Sequence, residues 1–288
     1  MLNLYQVAVL ALIQGMAELL PVSSSAHVVV AEKLMGLDPT SPEMTLLLVM
    51  LHSGTMIAVI AYFWKAWRQA FFSSFAAFRH TVSLLVFSTL LTALVGYPLK
   101  LGIEKVVLRN TPNAEIEMIF GNLTVVAAAL AVVGGLIIYA GLRSGASGTE
   151  QRSVEWRAAG WMGAVQGLCL PFRGFSRSGA TISTGLILGA AKPRLEEYSF
   201  ALAVVLTPPV VWREVVRVLE KQSNEVLAAG TRWHVFGLSL VGLVLSFFAG
   251  LLALRWLSRW LEHGRWHFFG IYCLAASAGV FALHCFGF

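Results

Sequence analysis

Between Gln166 and Thr181 the chain sets Arg173, Arg177, Ser176, Ser178 and Thr181 beside Gly174 and Gly179, within a sequence that is otherwise nearly continuous hydrocarbon. Arginine is costly at membrane depth and marks a cavity with a function. Small residues beside guanidinium groups let the backbone bend closely around an anion, and one guanidinium can hold two oxygens of a phosphoryl group. A second group lies near the N-terminus. Gln14 and Glu18 are four apart and share a helix face. Glu18 reads as the only acidic residue deep in its segment. A lone buried carboxylate must be protonated, paired with a cation or bound to a metal, and hard divalent cations favour carboxylate and amide oxygens. After Pro21 come Ser23, Ser24, Ser25 and His27. Ser24 and His27 share a face of any helix starting there, which suits a hydroxyl nucleophile with a neighbouring base, or an imidazole that protonates a leaving group. The same serines suit a helix cap, and the amides freed at such a break would hold phosphate themselves. His52, interrupting an apolar run at Leu51-His52-Ser53-Gly54, is a candidate polar contact to the same site.

These residues need elements that bring them together. Apolar windows long enough to cross a bilayer as helix, about 20 residues, run over 45–64, 81–100, 118–142, 196–216, 234–257 and 267–287. Two further apolar regions, 3–36 and 156–191, are interrupted near their middles by Pro, Gly, Ser and ionisable groups. Broken backbone survives inside a membrane only where protein or water satisfies it, so both regions read as re-entrant pairs of half-helices. They also resemble each other. Aligned at the serines, Pro21-Val22-Ser23-Ser24-Ser25-Ala26 faces Gly174-Phe175-Ser176-Arg177-Ser178-Gly179, and Gln14-Gly15 matches Gln166-Gly167 after a one-residue insertion. An odd number of crossings separates the copies, so the second sits upside down. The expectation is an all-α polytopic membrane protein, a single integral domain over 1–288, with an inverted-topology repeat of about 1–142 and 153–288, six transmembrane helices and two re-entrant helix pairs.

Composition bounds the rest. Of 288 residues, 57% are hydrophobic and 12% charged, against about one quarter charged in a soluble domain. The net charge of +6 is scattered among short loops, which argues for a membrane protein and against a nucleic-acid partner. The side carrying Lys65, Arg68, Arg79, Arg143, Arg152 and Arg157 holds the basic excess and reads as cytoplasmic. Cys169, Cys273 and Cys285 lack metal-ligand spacing and read as small core residues. His263 and His267 have that spacing, but lie among Glu262, Arg265 and Trp266 in an interfacial belt.

Gln14-x-x-x-Glu18, followed by Leu20-Pro21-Val22-Ser23-Ser24-Ser25-x-His27, resembles the first signature of bacterial undecaprenyl-diphosphate phosphatases, also called bacitracin-resistance proteins. Gly174-Phe175-Ser176-Arg177-Ser178-Gly179-Ala180-Thr181 is similar to their second, with Glu197-Tyr198-Ser199-Phe200 and Leu51-His52-Ser53-Gly54 also matching. The resemblance implies an inner-membrane phosphatase whose site opens toward the periplasm. Its substrate would be a polyprenyl diphosphate lipid, held within the membrane lipid, and its cofactor a divalent cation, Mg2+ or Ca2+; a homodimer is compatible. It implies Gln14 and Glu18 as the metal-associated pair, Ser24 and His27 as catalytic hydroxyl and imidazole, and Arg177 as phosphate clamp. Ser23, Ser25, Arg173, Gly174, Ser176, Ser178, Thr181 and His52 follow as substrate-binding candidates. Either Ser24 attacks phosphorus with His27 as base, or His27 assists a cation-activated water. Two departures stand out: Gln14 occupies a position where many members carry Glu, and Arg173-Gly174 replaces the family's Pro-Gly. A transporter or flippase of undecaprenyl phosphate or a related anionic lipid is the rival reading, because inverted repeats with broken helices also serve alternating access.

Overall fold

Five of the described helices start on a side-chain cap, α5 (Leu123–Ser144) on Asn122 among them. Asn3 and Gln6 exchange hydrogen bonds of 2.9 and 3.1 Å in a capping box at the head of α1 (Leu4–Leu19). Ser41, ahead of Pro42, caps α3 (Pro42–Ala70), Ser74 caps α4 (Phe75–Gly102), and Ser176 caps α7 (Arg177–Ile187). The computed structural model describes residues 2–38, 41–107, 122–144, 153–222 and 229–286. Among these the remaining elements are α2 (Ser24–Leu34), a π-helical turn (Ile103–Val107), α6 (Trp156–Cys169), α8 (Lys192–Gln222), α9 (Ala229–Glu262) and α10 (Trp266–Cys285). No strand occurs among the described residues, and the protein is an all-α membrane protein.

α3, α4, α5, α9 and α10 are long and apolar enough to cross a membrane. They coincide with five of the expected spans, several running further at their ends; residues 118–121 and 287 of those spans lie outside the described residues. The window at 196–216 falls inside α8, which has 31 residues but carries Pro208 and Pro209 and charged turns, and is less apolar than the other five. Large apolar side chains such as Leu90, Leu94, Leu142, Trp161, Phe248 and Leu252 are exposed around the outside, where only lipid can cover them.

The two interrupted regions do form short helix pairs. α1 and α2 have 16 and 11 residues, α6 and α7 have 14 and 11. At 1.5 Å per residue these are roughly 16–24 Å long, short of a hydrocarbon core of about 30 Å. The breaks between them have local causes. Pro21 cannot donate to continue α1, and Ser23 then adopts φ 66°, a left-handed conformation unusual outside glycine. In the second break Gly174 has φ 101°, and a Cβ there would lie 2.5 Å from the Val126 carbonyl oxygen of α5, so only glycine fits.

Packing is reciprocal. α1 lies against α9 and α6 against α4, while α3 packs on α8 and α9 and α5 on α10. The aligned glycines sit at the two matched crossings. A Cβ on Gly15 would come within 2.8 Å of the Ser246 carbonyl oxygen, and one on Gly167 within 2.7 Å of the Thr92 carbonyl oxygen. Small residues allow such close backbone approach where lipid gives no hydrophobic drive.

Candidate active site

Glu18 stands on the last turn of α1, just before the Pro21 break, with its side chain mostly buried. Four side chains converge on its carboxylate. Arg177, at the first turn of α7, donates from Nη2 to Oε1 at 3.1 Å. Ser24, at the first turn of α2, donates its hydroxyl to Oε2 at 2.5 Å, and Gln14 donates from Nε2 to the same oxygen at 3.1 Å. His52 of α3 points Nε2 at Oε2 from 3.7 Å, which is an ion pair whenever the ring carries its second proton. The other ring nitrogen of His52 donates to the Leu48 carbonyl at 2.8 Å and fixes the ring's direction. One buried carboxylate therefore ties the first hairpin, the second hairpin and α3 together. Unpaired it would be strongly destabilising there; ringed by donors it is satisfied.

The tips also touch directly. The Gly174 amide donates to Ser25 Oγ at 3.4 Å, Ser25 Oγ lies 3.3 Å from Ser23 Oγ, and Ser178 Oγ reaches the Leu20 carbonyl at 3.4 Å. Three of the expected substrate-binding hydroxyls, those of Ser176, Ser178 and Thr181, make contacts within the protein. Ser176 Oγ accepts from the Gly179 amide, and Thr181 donates to the Arg177 carbonyl at 2.9 Å and lies 2.7 Å from Ser199 Oγ. All three hydroxyls, Ser178 included, are buried, so their observed contacts brace the backbone that carries Arg177. The Glu197-Tyr198-Ser199-Phe200 segment has a similar bracing place. Ser88 of α4 donates to the Ala159 carbonyl at 2.7 Å and accepts from Tyr198 at 2.7 Å, while Phe200 stacks on Phe63. Glu197 pairs with Arg194 within its own helix at 2.8 Å.

His27 is placed differently from the pairing that its spacing to Ser24 suggests. Its Nδ1 donates to the Ser23 carbonyl at 2.7 Å, and its Nε2 meets the Tyr272 hydroxyl of α10 at 2.7 Å. Ser24 directs its proton to Glu18 instead, so the hydroxyl and imidazole of the expected pair have separate partners. Tyr272 carried no signal in the sequence, where it is one aromatic among many in an apolar helix. Glu32 was also missed. It is a second buried acid in the first hairpin, contrary to the reading of Glu18 as the only one; it is electrostatically coupled to Arg173, and neither of its carboxylate oxygens accepts a hydrogen bond. Cys169 and Cys273 are buried free thiols, whereas Cys285 is exposed and is not a core residue.

The family described as bacitracin resistance protein BacA matches the chain over residues 7–279. The chain is 52% identical over 283 residues to Undecaprenyl-diphosphatase 2 of Acinetobacter baylyi, covering 98% of both chains. It is 29% identical over 284 residues to the Undecaprenyl-diphosphatase of Rhodopirellula baltica, covering 99% of both. It is 32% identical over 300 residues to Undecaprenyl-diphosphatase 2 of Burkholderia orbicola, covering 99% of this chain and 98% of that one.

Proposed function

The chain belongs to the bacitracin resistance protein BacA family, and from that premise we propose that it is an undecaprenyl-diphosphatase. It removes the terminal phosphate of undecaprenyl diphosphate and returns undecaprenyl phosphate as carrier for peptidoglycan and other envelope polymers, with bacitracin resistance as the consequence. One observation carries the chemistry: Glu18 holds the Ser24 hydroxyl of one hairpin and the Arg177 guanidinium of the other on its two carboxylate oxygens.

The incoming diphosphate competes with Glu18 for Arg177. A guanidinium matches two phosphoryl oxygens, so Arg177 turns to the substrate and neutralises charge as transfer proceeds. Glu18 then has one positive partner fewer at the moment it is needed as a proton acceptor. Ser24 Oγ attacks the terminal phosphorus, its proton passes to Glu18 along the existing contact, and the phosphorus–oxygen bond to undecaprenyl phosphate breaks. Water then cleaves the phosphoserine, releasing phosphate and restoring the hydroxyl. His27 lies one helical turn beyond Ser24 and suits the leaving phosphate oxygen.

A divalent cation, Mg2+ or Ca2+, belongs to this reading. The donor types suit a hard cation, since the Glu18 carboxylate and the Gln14 amide lie side by side, 3.1 Å apart. Glu18 and the amide oxygen of Gln14 would hold it, and when bound it supplies positive charge to the phosphoryl oxygens. The reciprocal packing of α1 on α9 and α6 on α4 supports an inverted repeat with α8 as sixth span. In this reading the protein lies in the bacterial inner membrane with its site facing the periplasm, opposite the loops that carry the basic excess.

The test is phosphate release from undecaprenyl diphosphate by purified protein, with and without a chelator. Cation-dependent release that Ser24→Ala abolishes is expected, with a phosphoserine trapped by acid quench in the wild type. Full turnover in Ser24→Ala would eliminate the covalent route. Absence of any phosphate release would leave lipid transport, which gives the Ser24–Glu18 contact no task.

A further inference from the structure

Ring geometry identifies which nitrogen of His27 is available to chemistry. A carbonyl oxygen can only accept, so the 2.7 Å contact to Ser23 places a proton on Nδ1 and leaves the neutral ring's lone pair on Nε2. That carbonyl belongs to the residue with the left-handed backbone at φ 66°, so the strained tip and the tautomer are set by the same residue. Tyr272 closes the other edge. Its hydroxyl lies 2.7 Å from Nε2, and the two rings are 12° from parallel with centroids 5.6 Å apart. With Nδ1 protonated, Nε2 can only accept in the neutral ring, so the Tyr272 O–H donates across this contact. α10 is anchored to the same tip one residue later, where Cys273 Sγ donates to the Pro21 carbonyl at 3.3 Å. Tyr272 itself is 47% exposed, so the Nε2 edge of His27 that it covers lies toward the outside of the helix bundle and not in its core.

We propose that Tyr272 is a positioning residue for the phosphatase reaction: its hydroxyl holds the Nε2 edge of His27 toward the open side of the site, where the leaving oxygen arrives. In turnover the ring carries a second proton, taken up from solvent with the anionic substrate, and Nε2–H donates to the leaving oxygen while the Tyr272 oxygen beside it keeps the ring's orientation. This rests on His27 acting in the reaction, and the experiment separates the two.

Tyr272→Phe keeps the neighbouring ring and removes only the O–H. Its expected effect is a fall in kcat of about tenfold, the size of one hydrogen bond that orients a catalytic group, with KM for undecaprenyl diphosphate within about twofold. In a His27→Ala background the same change should have no further effect, because the residue acts through the imidazole. A second readout does not need turnover. In protein labelled with 15N-histidine, the ring signals that vanish in His27→Ala should shift in Tyr272→Phe. Wild-type kcat in Tyr272→Phe, an equal loss in both backgrounds, or unmoved His27 ring signals would each overturn the role of Tyr272. Normal turnover in His27→Ala would overturn it together with the role of His27.

Discussion

Glu18 has two duties at once, holding Arg177 in the resting site and standing next to the Ser24 proton, and a single substitution should separate them. Glu18→Gln keeps the shape but removes the charge that competes with phosphate for the guanidinium. We expect KM for undecaprenyl diphosphate to fall or hold steady while kcat drops by at least about 100-fold, the loss typical of a removed proton acceptor. Steady-state phosphate release checks this; a raised KM with kcat intact would assign Glu18 to binding alone. Arg177→Lys should fall about 100-fold or more, because a point charge does not reproduce the fork that engages two phosphoryl oxygens. At this scale the sequence was partly legible. Arg177 and Glu18 announced themselves because charge in an apolar segment has few explanations. The direction of the Ser24 proton did not, since a Ser-x-x-His spacing is compatible with several partners, and Glu18 lies across the Pro21 break. Nor did the inward turn of Ser176 and Thr181, since a hydroxyl that caps a helix looks in sequence like one that binds phosphate.

The helices hold the site through close crossings and through buried hydroxyls between α4, α6 and α8. At the crossings a side chain has nowhere to go: Gly167 faces the Thr92 carbonyl and Gly15 the Ser246 carbonyl, each closer than a Cβ tolerates. Gly167→Ala should lower the unfolding midpoint in detergent, at about 1–3 kcal/mol for overpacking. Among the hydroxyls the two partners are not equivalent. Tyr198→Phe removes a donor cleanly, about 1 kcal/mol, whereas Ser88→Ala leaves the buried Tyr198 hydroxyl unpaired and should destabilise by about 1–3 kcal/mol more. Equal losses for the two would mean that another acceptor serves Tyr198. The elements themselves were readable because apolar length has a direct physical meaning in a bilayer and because Pro21 and Gly174 interrupt it at matched places. α8 was less so: Pro208 and Pro209 and its charged turns blur the apolar signal of a helix that runs through 31 residues. The His27–Tyr272 contact joins positions 245 apart, a separation that no local pattern reports.

For the whole molecule, the proposed topology places the α3–α4 turn and the α2–α3 connection on opposite faces of the membrane. With the native cysteines replaced, a cysteine at Ser74 should react with an impermeant thiol reagent only from the cytoplasm, and one at Gly36 only from the periplasm. Labelling of both from one side would reject α3 as a crossing, on which the proposed topology depends. The exchange of partners between the two parts of the chain, α1 on α9 and α6 on α4, has a further outcome. Neither part encloses its own short hairpin. A gene cut within the codons for 145–152 should therefore yield two polypeptides that are degraded when made singly and regain phosphatase activity when made together. A lineage that began with one ancestral unit would have had to dimerise head-to-foot from the outset, with fusion following afterwards. Only after duplication could the copies diverge to leave an acid in one and a cation in the other.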